Sequence, residues 1–169
     1  MKRIALLVLA LAANVIADEE EDIQQVATNF ETDVQTVKEC MNKANITVVQ
    51  MHIATQKWQE KYNEEIDEYD KEITEFFDEY DEKIKESFMP YGSFIACMLE
   101  KNDLMQDEKL VLDNILETLK KDKHRYISRI NEESLTECVN SLNENSKIKE
   151  AKAIGLMTCI GRSLVKSDT

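Results

Sequence analysis

Residues 91–105 read YGSFIACMLEKNDLM and decide how the chain folds. They follow Pro90, the only proline of the sequence, and they contain Gly92; both residue types interrupt helices. Large apolar or sulfur-bearing side chains then crowd together at Phe94, Ile95, Cys97, Met98 and Leu99. A helix that is apolar nearly all round is typical of the middle of a bundle rather than of its surface. The stretch therefore predicts a central helix on which the rest of the chain packs.

The composition of the remaining sequence favours helix almost throughout. The 169 residues include only one proline and three glycines, and the good helix formers Glu, Lys and Leu are abundant. A chain of this length normally forms one domain. We therefore predict an all-α fold, a compact helical bundle in a single domain.

Residues 1–17 have the features of a cleaved secretion signal. Lys2 and Arg3 precede an apolar run, and the small residues that end at Ala17 have the spacing of a signal-peptidase site. The run is shorter than the roughly 20 apolar residues that span a bilayer, which argues against a membrane anchor. We predict a secreted, extracellular domain over residues 18–169.

The predicted mature chain is strongly acidic. The full sequence has 21 Lys and Arg against 34 Asp and Glu, a net charge of −13. Removing Lys2 and Arg3 leaves 19 basic residues and a net charge of −15. Binding to nucleic acid or to anionic lipid depends on neutralising phosphates with Lys and Arg. We therefore expect no nucleic acid among the partners and no membrane insertion.

The four cysteines predict two disulfides. An even number of cysteines in an oxidising compartment normally pairs completely, and the sequence alone leaves three pairings open. The cysteines are Cys40, Cys97, Cys138 and Cys159. They form no CxxC motif and have no histidine cluster beside them, so we expect no metal site.

Asn45 supports two interpretations. With Ile46 and Thr47 it forms the only glycosylation sequon of the chain. Thr47 and Gln50 also have the spacing of a capping box, which would begin a helix at Thr47. Both interpretations stay open at this point.

Apolar positions at steps of three and four place the other helices. Residues 23–41 carry one such stripe, which predicts a helix ending near Cys40. Asp107 and Asn131 are expected to begin further helices, and residues 147–165 form the last one.

Residues 57–87 are the most acidic part of the chain. Residues 57–86 contain 13 acidic and 5 basic side chains, while aromatic and aliphatic residues recur at steps of three and four. A continuous helix over residues 57–88 would be about 48 Å long. A calcium loop would require a turn with a glycine, which this stretch lacks. We therefore favour a solvated helical face over a metal site.

The residues needed for catalysis are sparse. The two histidines, His52 and His124, have no nucleophile motif and no metal-ligand spacing near them. We predict that the protein is not an enzyme and uses no cofactor. A helical bundle of this kind can enclose an apolar cavity or act through its surface, and composition alone leaves both open.

The sequence around the cysteines resembles the insect odorant-binding proteins, the pheromone- and general-odorant-binding family. The similarity lies in KECMNKANIT around Cys40, SFIACMLEKNDLM around Cys97, LTECVNSL around Cys138 and LMTCIGRSL around Cys159. These are similar to the first, third, fourth and sixth cysteine positions of the family. Ser93 stands at the second position, and the fifth falls near Glu150.

The resemblance implies a particular disulfide pattern. The second and fifth cysteines bond to each other in the family, so the absence of both leaves no unpaired thiol. This is the pattern of the minus-C subgroup. It implies the bridges Cys40–Cys97 and Cys138–Cys159. Compared with the family, residues 57–87 look like an acidic helical insertion that extends one helix or a helical hairpin.

The resemblance also implies a function. The fold would have about six helices around an apolar cavity, and the protein would be a secreted carrier that reversibly binds small hydrophobic ligands such as odorants, pheromones or lipid-like molecules. The residues expected to line the cavity are Phe94, Met98, Leu110, Ile115, Leu119, Ile127, Met157, Ile160 and Leu164. The alternative is a secreted protein of venom, saliva or reproductive fluid that works through protein contacts. Its partner would be a receptor or a second copy of the chain, bound through the acidic helix.

Overall fold

The structure is a computed structural model that describes residues 19–65, 73–121 and 130–165. Within these residues the chain forms eight helices and one short antiparallel hairpin, which confirms the all-α prediction. In chain order they are α1 Glu19–Asn29, α2 Val34–Ala44, α3 Val48–Glu65, α4 Ile73–Ser87, α5 Met89–Lys101, β1 Met105–Gln106, β2 Lys109–Leu110, α6 Leu112–Lys121, α7 Glu132–Asn145 and α8 Lys149–Val165. The predicted signal 1–17, His124 and Ile127 lie outside the described residues.

Helix α5 is the centre of the molecule, as its sequence predicts. It packs against α2, α3, α4, α8 and strand β1. From Tyr91 to Leu99 every residue except Ser93 is buried. Pro90 lies in the first turn of the helix, where its missing N–H leaves no helical hydrogen bond unmade.

Gly92 does not end a helix but lies inside α5, where it allows α8 to come close. A Cβ atom at this position would lie 2.7 Å from Cβ and 3.1 Å from the carbonyl oxygen of Glu150. Both distances are shorter than normal packing allows. The missing side chain of Gly92 therefore sets the spacing between α5 and α8.

The single helix expected over residues 23–41 is wrong, because two helices share that apolar stripe. Helix α1 ends at Asn29, and Glu31 has a positive φ of 47°. Asp33 then caps α2, because its carboxylate accepts a hydrogen bond of 2.7 Å from the backbone N–H of Thr36. Hydrogen bonding to Thr36 lowers the pKa of the Asp33 carboxyl. The apolar spacing continues across the break, so periodicity alone could not reveal it.

The acidic stretch also does not form one rod. The ring of Trp58 in α3 lies 5.5 Å from that of Phe88, measured between centroids. A straight helix would separate these residues by about 45 Å. Helices α3 and α4 are therefore the two arms of a hairpin, the second of the two forms that the resemblance implied for this stretch. This reversal, together with the break after α1, gives the described part of the chain eight helices where the resemblance implied about six.

Helix α4 is fixed to the body of the protein by its inner face. Phe77, Tyr80 and Ile84 are buried. The hydroxyl of Tyr80 donates a hydrogen bond of 2.8 Å to the carbonyl oxygen of Ala151 in α8. Asp81 is only 3% exposed. The outer face of α4 is exposed and acidic, as the charge pattern predicts.

Asp81 joins α4 to the segment between α7 and α8. One carboxylate oxygen accepts a hydrogen bond of 2.7 Å from the hydroxyl of Ser146, and the other accepts one of 2.7 Å from the backbone N–H of Lys147. Two short bonds to one buried carboxylate make a strong local connection. At least the second half of the acidic region is therefore an integral part of the bundle.

The helix expected to begin at Asp107 is a further correction. Asp107 and Glu108 have positive φ values of 49° and 61° and form the two-residue turn between β1 and β2. The side-chain amide of Asn143 in α7 completes the hairpin. It accepts from the backbone N–H of Leu110 and donates to its carbonyl oxygen, both at 2.9 Å. Helix α6 begins only at Leu112.

The other two predicted helix starts are confirmed. At the start of α3, the N–H of Thr47 donates to Gln50 Oε1 at 2.9 Å, and the N–H of Gln50 donates to Thr47 Oγ1 at 3.2 Å. This reciprocal pair is a complete capping box. Asn131 caps α7 by accepting a hydrogen bond of 2.9 Å from the backbone N–H of Ser134.

Candidate ligand-binding site

Two disulfides connect the helices around the candidate site. The bridge Cys40–Cys97 joins α2 to α5, and the bridge Cys138–Cys159 joins α7 to α8. Both have Cα–Cα distances of 5.6 Å, which suit an ordinary disulfide. Of the three pairings that the cysteine count left open, the structure has the one that the resemblance implied.

The two positions that the resemblance assigns to the missing cysteines lie on α5 and α8. Ser93 belongs to α5 and Glu150 to α8, and Gly92, next to Ser93, packs closely against Glu150. Further along, Lys149 Nζ donates a hydrogen bond of 2.9 Å to Glu100 Oε1, and this bond raises the pKa of the Lys149 ammonium. Close packing at Gly92 and the ion pair between Lys149 and Glu100 therefore join α5 to α8 without a covalent link.

A pocket lies between α3, α5 and α8. Its volume is about 50 Å³. Its lining consists of Thr55, Trp58, Gln59, Tyr91, Met157, Thr158 and Gly161. None of these side chains carries a charge at neutral pH, so the pocket suits a neutral molecule.

The polar lining residues are Gln59 and three residues with hydroxyls, Thr55, Tyr91 and Thr158. Thr55 Oγ1 donates a hydrogen bond of 2.8 Å to the carbonyl oxygen of Met51 and lies 3.3 Å from the hydroxyl oxygen of Tyr91. Tyr91 is 1% exposed, and this burial raises the pKa of its phenol to about 12. The Tyr91 hydroxyl is therefore neutral at physiological pH. Thr158 Oγ1 is buried and has no hydrogen-bond partner within the described structure.

The acidic helix supports the wall of this pocket through Trp58. The indole ring packs edge-on against Tyr80, with centroids 5.9 Å apart, and against Phe88 at 5.5 Å. Edge-on aromatic contacts of this kind fix the orientation of a ring. Helix α4 therefore positions a pocket residue, although the residues that line the pocket come from α3, α5 and α8.

A model of the PBP/GOBP family matches residues 24–163. The chain belongs to the PBP/GOBP family. The match includes all four cysteines and every helix that contributes to the pocket, and the two disulfides agree with the minus-C pattern. No curated protein and no solved structure matches the chain.

Of the nine residues predicted to line a PBP/GOBP cavity, Met157 lines the observed pocket. Six others are buried in the core, namely Phe94, Met98, Leu110, Ile115, Leu119 and Ile160. Leu164 is partly buried against the core, and Ile127 lies outside the described residues. A ligand contact by any of these residues stays a prediction.

Sequence reasoning missed the hydroxyl-bearing lining residues, although a signal for them existed. Thr55 follows Met51 by four residues on α3, and Thr158 follows Met157 within an apolar helix. A polar residue in line with buried apolar ones marks either an internal hydrogen bond or a ligand contact. The sequence alone does not distinguish an internal hydrogen bond from a ligand contact, because the partner atoms belong to other helices.

The histidine that the structure describes, His52 in α3, contacts α1. His52 Nε2 lies 3.3 Å from Asp22 Oδ2, and both side chains are partly exposed. The contact ties α1 to α3 beside a small pocket of about 20 Å³.

PBP/GOBP proteins are binding proteins rather than enzymes. Within the described ranges, no three His, Cys, Asp or Glu residues come together as metal ligands, and no helix is long and apolar enough to cross a membrane.

Proposed function

We propose that the protein is a secreted carrier that reversibly binds small hydrophobic molecules, such as odorants, pheromones or lipid-like compounds. The observation that carries this proposal is the uncharged pocket between α3, α5 and α8 in a chain of the PBP/GOBP family. Trp58, Met157 and Gly161 offer apolar contact area, and the hydroxyls offer a few directed hydrogen bonds. Binding pockets for small molecules commonly have this composition. The signal-like residues 1–17 support secretion.

The size of the pocket limits how a ligand fits. Its volume of about 50 Å³ is well below the roughly 300–1,000 Å³ of sites for drug-sized ligands. A ligand of more than a few heavy atoms must therefore displace a side chain. Met157 is suited to this because its unbranched thioether chain can adopt several rotamers. We expect ligand binding to change the environment of Met157 and of the adjacent Trp58.

A dye titration tests the proposal. The mature chain, residues 18–169, is titrated with a fluorescent apolar naphthylamine dye, and long-chain alcohols are then added as competitors. We expect saturable binding at one site per monomer and displacement of the dye by the alcohols. Trp58 is the only tryptophan, so its emission should change as the pocket fills.

A pocket-filling variant connects the binding to this site. Gly161→Phe puts a ring into the pocket, and we expect it to weaken dye binding at least tenfold. Val49→Phe adds the same ring at an exposed position of α3 and should leave binding unchanged. Circular dichroism verifies folding, and Gly161→Val replaces the first variant if that one unfolds. A folded Gly161 variant that binds the dye as tightly as the unchanged protein would contradict the proposal.

One observation favours a second function, in which the protein acts through protein contacts. Val49 and Ile53 lie one turn apart on α3 and are 66% and 48% exposed. Exposed apolar neighbours are typical of contact surfaces. The acidic face of α4 could meet a receptor or a second copy. If the monomer takes up neither dye nor alcohols, this second function is the one to pursue.

A further inference from the structure

Two exposed apolar side chains lie side by side at the beginning of α3. Val49 is 66% exposed and Ile53 is 48% exposed. They are four residues apart on a helix, so they are neighbours on one face. Among the side chains that the structure describes, no other large apolar one is exposed. Contact between apolar surface and water is unfavourable, so a group that covers this face would stabilise the protein.

The segment that carries these two side chains has no acidic residue. Residues 40–59 are the longest stretch without Asp or Glu in a sequence that contains 34 of them, and the two lysines, Lys43 and Lys57, lie near its ends. Asp22 of α1 approaches α3 at His52, 3.3 Å away, but is only 17% exposed. Covering a charged group is costly because the charge loses its water. The face around Val49 is therefore suited to a neutral occupant.

The glycosylation sequon of Asn45 lies immediately before this face. Ile46 and Val48 are buried. The residues that alternate with them, Asn45, Thr47 and Val49, are exposed. Asn45 and Val49 therefore share the solvent side of the connection between α2 and α3. Their Cα atoms are at most about 14 Å apart, because four residues separate them.

The side chain of Asn45 is available for attachment of a sugar. Asn45 ends α2 with a positive φ of 52°, and its backbone N–H completes the cap by donating to the carbonyl oxygen of Asn42. Within the described residues its side-chain amide makes no hydrogen bond. A glycan attached there begins on the same side of the chain as Val49, and Ile53 lies about 6 Å further along α3.

We propose that the N-linked glycan of Asn45 packs over Val49 and Ile53 and shields them from water. Sugar rings suit this face, because their C–H groups pack on apolar side chains while their hydroxyls stay hydrated. Attachment to Asn45 also gives the glycan a high effective concentration at the face, so weak contacts are sufficient. The proposal rests on glycosylation of Asn45 and is independent of the carrier function, because neither Val49 nor Ile53 lines the pocket.

A second copy of the chain is a less suitable occupant of this face. The predicted mature chain has a net charge of −15, so two copies repel each other. A neutral glycan meets no such repulsion. The protein-contact function considered above uses the same two side chains, and the experiment therefore has to distinguish a glycan from a second copy.

Methyl NMR of the glycosylated chain tests the contact. The mature chain is secreted from insect cells with labelled Ile and Val methyl groups and compared before and after treatment with peptide-N-glycosidase, which converts Asn45 to Asp. We expect the signals of Val49 and Ile53 to shift when the glycan is removed. The signals of Ile115 and Val139, which are buried in α6 and α7, should stay unchanged. The Asn45→Asp variant supplies the reference spectrum, which the treated protein should match.

Thermal unfolding measures what the contact contributes. Removing the glycan should lower the unfolding midpoint by about 2–4 °C, the shift of a modest contact in a chain of this size. In the double variant Val49→Thr, Ile53→Thr the apolar face is lost, and glycan removal should shift the midpoint much less. Gln35→Thr is the matched control, because Gln35 is exposed and uncharged and lies at the opposite end of α2. This variant should keep the full shift.

The outcomes distinguish the possible occupants. If the secreted chain carries no glycan at Asn45, the proposal is wrong. It is also wrong if the glycan is present but its removal leaves the methyl signals of Val49 and Ile53 unchanged, since the sugars then extend into solvent. If the glycosylated chain is a dimer that Val49→Thr, Ile53→Thr converts to a monomer, the face is an interface between two copies. None of these results affects the carrier function, which the dye titration tests separately.

Discussion

Tyr91 makes the protein less stable at alkaline pH. Burial raises the pKa of its phenol from 10.0 to about 12, so the folded state holds this proton more tightly than the unfolded state does. The resulting stability is fully present below pH 10 and is lost as the pH rises toward 12. At pH 11 we expect Tyr91 to account for a loss of about 1 kcal/mol relative to pH 8.

Urea unfolding of the Tyr91→Phe variant checks this expectation. The variant lacks the ionisable group, so its unfolding free energy should fall less between pH 8 and pH 11 than that of the unchanged protein. Lysines that also titrate in this range affect both proteins alike, and the difference therefore isolates Tyr91. Equal pH dependence of the two proteins would show that Tyr91 does not contribute.

We propose that Asn45 is glycosylated when the chain is secreted from a eukaryotic cell. Its side chain is exposed at the end of α2, and the sequon is compatible with the capping box that Thr47 forms. Thr47→Ser keeps both the sequon and the cap, while Asn45→Gln removes the sequon and leaves the capping box of Thr47 and Gln50 in place. We expect a mass decrease on treatment with a glycosidase for the unchanged protein and for Thr47→Ser. If neither loses mass, Asn45 is not an acceptor.

At the residue level, the sequence predicts which side chains are buried better than it predicts which of them line a pocket. Phe94 and Met98 are buried as their spacing indicates, yet the same spacing cannot distinguish a core residue from one that lines a pocket. Thr158 shows the difficulty most clearly. Its missing hydrogen bond depends on what α3 and α5 place opposite it, and no property of α8 alone reveals this.

At the level of secondary structure, the attachment of α4 depends on Asp81. Replacing Asp81 by Asn puts an amide where two donors converge, so one of the two bonds to Ser146 and Lys147 is lost. We expect a decrease in unfolding free energy of about 1–3 kcal/mol, measured by urea unfolding.

The adjacent Asp78 provides the matched control. It pairs with the side chain of Lys147, but both groups are largely exposed, at 60% and 72%. Exposed ion pairs contribute about 0–1 kcal/mol, so Asp78→Asn should have little effect. If both substitutions destabilise the protein equally, general loss of negative charge rather than the buried bonds of Asp81 is responsible.

Helices with local signals were predictable, while breaks that depend on distant partners were not. The central helix and the caps at Thr47 and Asn131 follow from nearby residues. The β-hairpin needs Asn143, which lies 33 residues beyond Leu110, and the reversal of the acidic stretch is held by contacts between Trp58 and Phe88. Periodicity reports only which side of a helix is buried and says nothing of where the chain turns.

For the whole molecule, the two disulfides should contribute unequally to stability. Their sequence separations are 57 residues for Cys40–Cys97 and 21 residues for Cys138–Cys159. The entropy of closing such loops corresponds to about 4 kcal/mol for the longer one and about 3 kcal/mol for the shorter one. Replacing Cys40 and Cys97 by Ala should therefore lower the unfolding free energy more than replacing Cys138 and Cys159. Urea unfolding of the two double variants measures the difference, and the reverse order would contradict the loop-entropy explanation.

The close contact at Gly92 has a consequence for how the pocket can change size. All four cysteines are used within the pairs α2–α5 and α7–α8, so no covalent link joins α5 to α8. The contact between these two cross-linked helix pairs is therefore a non-covalent joint. Tyr91 lies on one side of that joint, and Met157 and Thr158 lie on the other. Any widening of the space between these residues would therefore break no disulfide and would have to loosen only the packing at Gly92.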